Sequence, residues 1–397
     1  MPRSNLRLFW ESDTWRLCVR WLRSNDNAWS LAGRPYACGC RQHSYEIPGG
    51  GGSFSRKSGE SDLHDRGILR EKQEVQCVNE GNATEGEEED ADGNGREQVY
   101  PEVRTFWQKV AGKLIHLAAP ILSDKLFLKL LFWNRLGYRL NLKNPQTFNE
   151  KLQWLKLNDI HEEYTMMVDK VAAKTYVAGI IGEEYIIPTI GVWNSVEEVS
   201  WDELPNQFVI KSANDSGGVV VCKDKPSLDI EEAKKKLSRC GGRIYSDLYK
   251  EYPYKNVPKR IIAEQYLEDE SGFELKDYKI FCFDGKPYMV FVASDRQIHQ
   301  TKFDFFDLEW NHLPIEQEFP HNPKGIRKPK NLDKMLEIAS KLSKGIPHVR
   351  VDLYNCDGRI YFGELTFFHN SGIFPWYPKE WDYKLGKQLK LPTKNTN

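Results

Sequence analysis

Residues His348–Gly372 read HVRVDLYNCDGRIYFGELTFFHNSG, and no other stretch constrains the fold as tightly. Val349, Val351 and Leu353 alternate with Arg350, Asp352 and Tyr354, the period of two that marks a strand. Asn355, Asp357 and Gly358 supply turn chemistry, and Arg359–Phe367 returns as a second run rich in Ile, Tyr, Phe and Leu. The stretch is therefore expected to be a β-hairpin. Asp352 and Glu364 stand on its two arms at an even offset of 12, and antiparallel pairing is expected to bring both carboxylates to one face. Neighbouring carboxylates repel unless a cation lies between them. Mg²⁺ is a hard divalent ion that keeps positions open for phosphate oxygens. Arg350, on the face of Asp352, is suited to clamp an anion. The plain alternative is an ordinary hairpin with solvated charges on its wet face.

The 397 residues suffice for two or three domains with ample core. A net charge of −1 argues against a nucleic-acid-binding field over the whole surface, so no nucleic-acid partner is expected. The 8 cysteines are scattered, and Cys38-Gly39-Cys40 is too close for a zinc knuckle with no second pair following. They read as reduced thiols of a cytosolic protein. No apolar run reaches transmembrane length, and Arg16, Arg20 and Arg23 interrupt any apolar signal near Met1. The expected location is cytoplasmic, with the inner face of the membrane left open.

Residues 1–100 differ from the rest, with a Trp- and Arg-rich start, the glycine run Gly49–Gly52 and the acidic block Glu85–Asp92. Such composition rarely buries a core, so a disordered extension is expected, with a short basic helix at Trp15–Leu22 as the alternative. Asp90-Ala91-Asp92 matches the DxD pattern of glycosyltransferases, which in a polar tail reads as chance.

Residues 101–160 read as a helical region. Phe106, Val110, Leu114, Leu117 and Ile121 form one apolar face, expected to pack inward, and Ser123 caps a second helix closed by Gly137. Lys113, Lys125 and Lys129 accompany these faces, so peripheral membrane contact stays open beside packing. Thr147 and Glu150 make a capping box, T-x-x-E, for the helix FNEKLQWLKL. Tyr164–Gly179 has helical spacing and carries Lys170 and Lys174.

Residues 161–392 read as one domain. Phe208–Lys211 is a strand, followed by the loop Ser212–Gly218 and a β-rich run to Cys222. Gly217 and Gly218 let the backbone approach a ligand, and free N–H groups there can cradle phosphate; a tight hairpin is the plain alternative. No Walker A or G-x-G-x-x-G pattern occurs. RIIAEQYL (Arg260–Leu267) reads as a buried strand holding Glu264, either an edge acid or the wall of a purine slot. Leu275–Phe283 puts Asp277 and Lys279 on one strand face.

In order, VDKVAAKTYV, FVIKSANDSGG, RIIAEQYLEDESG, KDYKIFCFDGKP and VRVDLYNCDGRIYFGELTF resemble the TupA-like ATP-grasp family, named for teichuronopeptide biosynthesis. The resemblance covers about residues 125–392. It implies an α+β fold in which two subdomains clamp ATP with Mg²⁺. The activity it implies joins a carboxylate to an amine through an acyl-phosphate, in cell-surface polysaccharide biosynthesis. Carried onto this chain, Lys170 and Lys211 are the ATP lysines, and Ser216, Gly217 and Gly218 belong to the phosphate-covering loop. Glu264, Gln265, Tyr266 and Leu267 form the adenine hinge, and Asp277 is the ribose acid. Lys279 and Arg350 act on the transferred phosphoryl group. Asp352 and Glu364 are the metal ligands, with Thr366 where many ligases carry Asn. Asn370, Ser371 and Gly372 border the substrate. The other readings are a glycosyltransferase, a sugar kinase, or a nucleotide-binding protein without catalysis.

Overall fold

The computed structural model describes residues 5–10, 17–22, 105–214, 217–241, 245–272, 274–296 and 300–393. The chain divides into a unit of residues 1–90 and a unit of residues 91–397. In the first, β1 (Asn5–Trp10) pairs antiparallel with β2 (Leu17–Leu22), Asn5 opposite Leu22. Leu17–Leu22 is thus a strand and not the helix considered above, in keeping with the β-formers Val19 and Trp21 at a spacing of two. The remainder of residues 1–100, with the disorder expected there and the DxD match, lies outside the described residues.

The second unit opens with two helices. Helix α1 (Phe106–Leu117) starts at a capping box of Thr105 and Gln108. Helix α2 (Asp124–Leu136) starts at Ser123 and stops at Gly137, whose φ of 77° is open to glycine at little cost. Their packing corrects the expectation from spacing. The α1 stripe of Phe106, Leu114 and Leu117 faces solvent, as does Ile121 beyond it, and Val110 is half-buried. Gly112 is the buried residue of α1. A Cβ there would meet Asn134 Oδ1 at 3.1 Å, and Asn134 donates to the Gln108 carbonyl at 3.0 Å. Close approach at Gly112 decides which side of α1 is covered.

Helix α3 (Phe148–Asn158) carries the expected Thr147–Glu150 capping box. The helix read over Tyr164–Gly179 is two helices, α4 (Glu163–Val168) and α5 (Ala172–Ile181). The break falls at Asp169, whose ψ of 111° is extended. Asp169 pairs with Arg260 and accepts the Val171 N–H, and this competes with helix continuation. Lys170 is thereby left in the break.

A four-stranded antiparallel sheet follows, built from β3 (Thr189–Trp193), β4 (Phe208–Ser212), β5 (Val219–Cys222) and β6 (Ile261–Gln265) in the order β3-β6-β4-β5. Helix α6 (Ile230–Gly241), capped by Asp229, packs behind it, setting Ala233 and Leu237 against Phe208 and Ile210. Between α6 and β6 lies the short α7 (Tyr245–Tyr249), which the sequence reading did not anticipate. A six-stranded antiparallel sheet comprises β7 (Asp277–Phe283), β8 (Lys286–Ser294), β9 (Lys302–Phe306), β10 (His312–Leu313), β11 (Val349–Cys356) and β12 (Arg359–Thr366), in the order β10-β9-β8-β7-β11-β12. Its main core joins Phe281, Phe291 and Phe305 to α3, α5, α8 (Leu332–Leu342) and α9 (Glu380–Gln388). Strands and helices are mixed in both layers, the α+β class expected. No helix among the described residues is long and apolar enough to cross a membrane.

Candidate active site

The hairpin forms β11 and β12, joined by Asp357 and Gly358, both at positive φ. Paired left-handed residues make the two-residue turn that matches strand twist. From that turn the ladder pairs Cys356 with Arg359 and Leu353 with Phe362, both at odd offsets, so Asp352 would face Gly363. The register shifts there instead, and Asp352 pairs with Glu364. Gly363 is the extra residue of a β-bulge. The carboxylates meet as expected, but through the bulge and not through the even offset. Nor is that face wet at Asp352, although the Glu364 side chain stays 42% exposed. Strand β11 is interior between β7 and β12, and Asp352 is 1% exposed.

Register fixes the constellation. Asp352 pairs with Lys279 on one side and Glu364 on the other; Arg350 pairs with Thr366 and Tyr354 with Asp277. Arg350 donates Nε to Asp352 Oδ1 and Nη2 to Oδ2, each at 2.7 Å, a bidentate clamp. Its Nη2 also reaches Thr366 Oγ1 at 3.1 Å and Glu364 Oε1 at 3.5 Å. Lys279 Nζ lies 2.5 Å from Asp352 Oδ2 and 3.2 Å from Asp277 Oδ2. Arg296 holds the same Asp277 oxygen at 2.6 Å. Burial would raise the pKa of Asp277, and Lys279 and Arg296 outweigh it, so this carboxyl is held below its ordinary value. Glu364 is likewise lowered, burial being overcome by Lys170, Lys279 and Arg350.

The opposite wall comes from the four-stranded sheet. Glu264 is not an edge acid: β6 is interior between β3 and β4. Its carboxylate bridges Lys211 at 2.5 Å and Lys174 at 2.6 Å. Those two lysines overcome the burial that would raise its pKa, and hold it ionised below the usual range. Beyond Gln265 the chain leaves the ladder, so Tyr266 and Leu267 run along the wall as irregular backbone. In the loop after β4, the Ser212 N–H donates to the Gly218 carbonyl at 2.9 Å, and Gly217 has φ 104°. Ser216 lies outside the described residues.

Between the walls is a cavity of about 490 Å³, within the range for nucleotide-sized ligands. Lys170, Lys211, Gly217, Glu264, Gln265, Tyr266, Leu267, Asp277, Lys279, Arg350, Asp352, Glu364 and Asn370 all line it. An adjoining pocket of about 250 Å³ shares Lys170, Arg350, Glu364 and Asn370 with it and adds Thr366, Ser371, Tyr249, Glu251 and Tyr254. Gly218 and Gly372 line neither: Gly218 closes its loop, and Gly372 packs against α3.

That packing is strained. Asn370, Ser371 and Gly372 have successive φ of 45°, 56° and 60°. Two non-glycine residues in the left-handed region persist only when neighbours hold them. Gln153 donates to the Ser371 and Gly372 carbonyls, each at 2.9 Å, and Lys156 donates to the Ser371 carbonyl at 2.9 Å. The Ser371 hydroxyl donates to Glu251. Burial lowers the pKa of Lys156 and raises that of Glu251, each offsetting the other in part. His369 accepts from Arg350 Nη1 at 2.8 Å and donates from Nε2 to Gln317 at 2.7 Å, so it is neutral, its pKa well below the ordinary value through burial and Arg350.

Sequence reasoning missed Lys174, Arg296, Gln153, Lys156, Glu251, Gln317 and His369 as members of the site. Lys174 was within reach, since it lies four residues beyond Lys170, one turn on in the continuous helix that the spacing implied. Glu251, Arg296 and Gln317 reach the site across long sequence separations with no local pattern.

The site thus gathers cations from α5, β4, β7, β11 and the α4–α5 break around paired carboxylates in one cleft. Such a cleft suits a polyphosphate, whose transfer requires charge neutralisation and alignment. The family model described as TupA-like ATPgrasp matches residues 150–390. No curated protein matches the chain. Among solved structures, D-alanine–D-alanine ligase from Bacillus anthracis complexed with ATP is similar at 17% identity, with 51% of this chain and 54% of that chain covered and a TM-score of 0.30. D-alanine–D-alanine ligase from Helicobacter pylori is similar at 14% identity, over 61% and 69% of the two chains, with a TM-score of 0.34. The ATP-grasp ligase PsnB complexed with minimal precursor, Mg and ADP is similar at 11% identity, over 64% and 66%, with a TM-score of 0.30. The chain spans about half the length of the first of these structures.

Proposed function

The chain belongs to the TupA-like ATP-grasp family, and on that premise we propose that it is an ATP-dependent carboxylate–amine ligase working through an acyl-phosphate. The observation that carries the reading is the single cavity lined by Lys170, Lys211, Lys279 and Arg350 together with Asp352 and Glu364. In this account the base lies along Gln265–Leu267, with Val219, Val221 and Leu275 as apolar walls. Asp277 faces the ribose. Lys211 and Gly217 meet the phosphates. Arg350 and Lys279 steady the transferred phosphoryl group, and Asn370 and Ser371 border the acid.

Mg²⁺ fits this donor set. Glu364 is a carboxylate with a 42% exposed side chain whose contacts are Arg350 at 3.5 Å and the Thr366 hydroxyl at 3.3 Å, which leaves oxygen lone pairs toward the cavity. Glu364, Asp352 and Thr366 would hold the ion, which when bound neutralises charge on the phosphates. Asp352 has to share its oxygens with Arg350 and Lys279. That sharing favours a second reading, nucleotide binding without turnover.

The acid and amine are small molecules or polymer-linked groups, and the role we propose is in cell-surface polysaccharide biosynthesis of the teichuronopeptide type. The family resemblance alone supports this last step. The test is release of ADP and phosphate by the purified protein with MgATP and panels of acids and amines. Ligase activity predicts release only when an acid and an amine are both present. Release with a sugar alone, or none on any panel, contradicts it.

A further inference from the structure

Helices α1 and α2 carry an apolar surface that the catalytic account leaves unused. On α1, Phe106, Trp107, Leu114 and Leu117 are 58, 75, 60 and 79% exposed, and Ile121 just beyond is 86% exposed. At 100° per residue, the four helical positions fall within an arc of about 100°, so they form one stripe and not scattered exposure. On α2, Leu126 and Trp133, seven residues apart and on one side of the helix, are 45 and 56% exposed. The opposite side of α2 buries Phe127, Leu128, Leu131 and Phe132, so the exposed residues are not a misplaced core.

The borders of this surface are basic. Within the two helices, Lys109, Lys113, Lys125, Lys129 and Arg135 face a single acid, Asp124, and Lys250 already pairs with it at 2.9 Å. A groove of about 650 Å³ beside α2 is lined by Lys125, Lys129 and Lys143 with Asn141 and Asn158, and no acid lines it. A second groove places Arg139 and Lys129 next to Trp133. Among the described residues, no carboxylate pairs with Lys125, Lys129, Arg139 or Lys143.

Apolar stripes of Trp, Phe and Leu bordered by Lys and Arg are the composition of helices that lie in a bilayer interface. On α1 itself Lys109 and Lys113 fall on the helical wheel within about 60° of Phe106, at one edge of the stripe, where they match anionic headgroups. We propose that α1 docks the protein on the surface of an anionic lipid bilayer, with Phe106, Trp107, Leu114 and Leu117 entering the interface and Lys109 and Lys113 taking the headgroups. The proposal stands independently of the ligase reading, because none of these residues lines the catalytic cavity.

The test is co-sedimentation of the full chain with vesicles of phosphatidylcholine alone or mixed with phosphatidylglycerol, at low and high salt. The expected result is binding to the mixed vesicles, weakened by salt, with little to phosphatidylcholine alone. Leu114→Glu with Leu117→Glu, and separately Lys109→Glu with Lys113→Glu, are each expected to weaken binding at least tenfold with unchanged thermal melts, since all four side chains are exposed. Three results would overturn the proposal. One is wild-type protein left in the supernatant at every phosphatidylglycerol fraction, as when residues 1–104 or another protein cover this face. Another is undiminished binding by Leu114→Glu with Leu117→Glu. The third is a vesicle-free dimer that this same pair of substitutions makes monomeric, which would assign the face to a second copy of the chain.

Discussion

Asp352 lies directly opposite Glu364 because Gly363 is bulged out of the ladder between them. A Cβ on Gly363 would come within 3.0 Å of the Asp352 carbonyl and 3.2 Å of the Tyr354 ring. Backbone cannot yield there without moving the acid pair. Gly363→Val is therefore expected to cut kcat at least tenfold, as displacements of catalytic groups by about 1 Å can cost a hundredfold. Steady-state ADP release by a variant with an unchanged circular dichroism spectrum checks it.

Glu264 holds Lys174 and Lys211 side by side, and all three are largely buried. Removing its carboxylate leaves two like charges without their partner. Glu264→Ala is expected to destabilise the fold by about 3 kcal/mol, the range for breaking a buried ion pair. Urea denaturation of variant and wild type measures it. A change within about 0.5 kcal/mol would mean that the lysines find other partners.

Gly372 stands at φ 60°, and a Cβ there would lie 2.6 Å from Gln153 Nε2 and 2.9 Å from Leu152 Cβ. Gly372→Ala is expected to cost about 2 kcal/mol through strain and overpacking. Because Gln153 also holds the Ser371 carbonyl, turnover should fall with it. Denaturation and kinetics on one sample separate the two effects.

His348 is buried, its Nδ1 is 2.9 Å from the Cys282 carbonyl, and its Nε2 has no hydrogen-bond partner among the described residues. Burial lowers its pKa from 6.5 to about 3. The unfolded chain then binds more protons than the folded one across that window. The His348 contribution is complete above pH 6.5 and is lost as pH falls toward 3. Its share of the slope approaches about 1.4 kcal/mol per pH unit. Unfolding free energies measured from pH 7 to 4.5 should fall less steeply in His348→Gln.

The hairpin, the capping box at Thr147 and the Gly137 stop were legible because each is a local pattern of side-chain period or backbone conformation. The constellation on β11 and β12 followed from the same alternation. The Gly363 bulge was not legible, since a register shift depends on both strands at once. Lys170 could be named, but not the helix break that presents it, because Arg260 lies far along the chain from Asp169. Spacing identified the apolar stripe of α1 but not its exposure: amphipathicity says which residues share a face, while Gly112 and Asn134 decided which face was covered. The left-handed run at Asn370–Gly372 rests on Gln153 and Lys156 from a different helix, and no local signal announces it.

The account rests on a metal-bound nucleotide gripped by the Asp352–Glu364 pair between the two sheets. Calorimetric titration of ATP, with and without Mg²⁺, into wild type and Glu364→Gln tests this most directly. The prediction is one Mg²⁺-dependent site in wild type, with the Mg²⁺ enhancement lost in the variant and melting unchanged, because Glu364 is partly exposed. Equal Mg²⁺-dependent binding by both proteins, or no ATP binding by wild type, would contradict it.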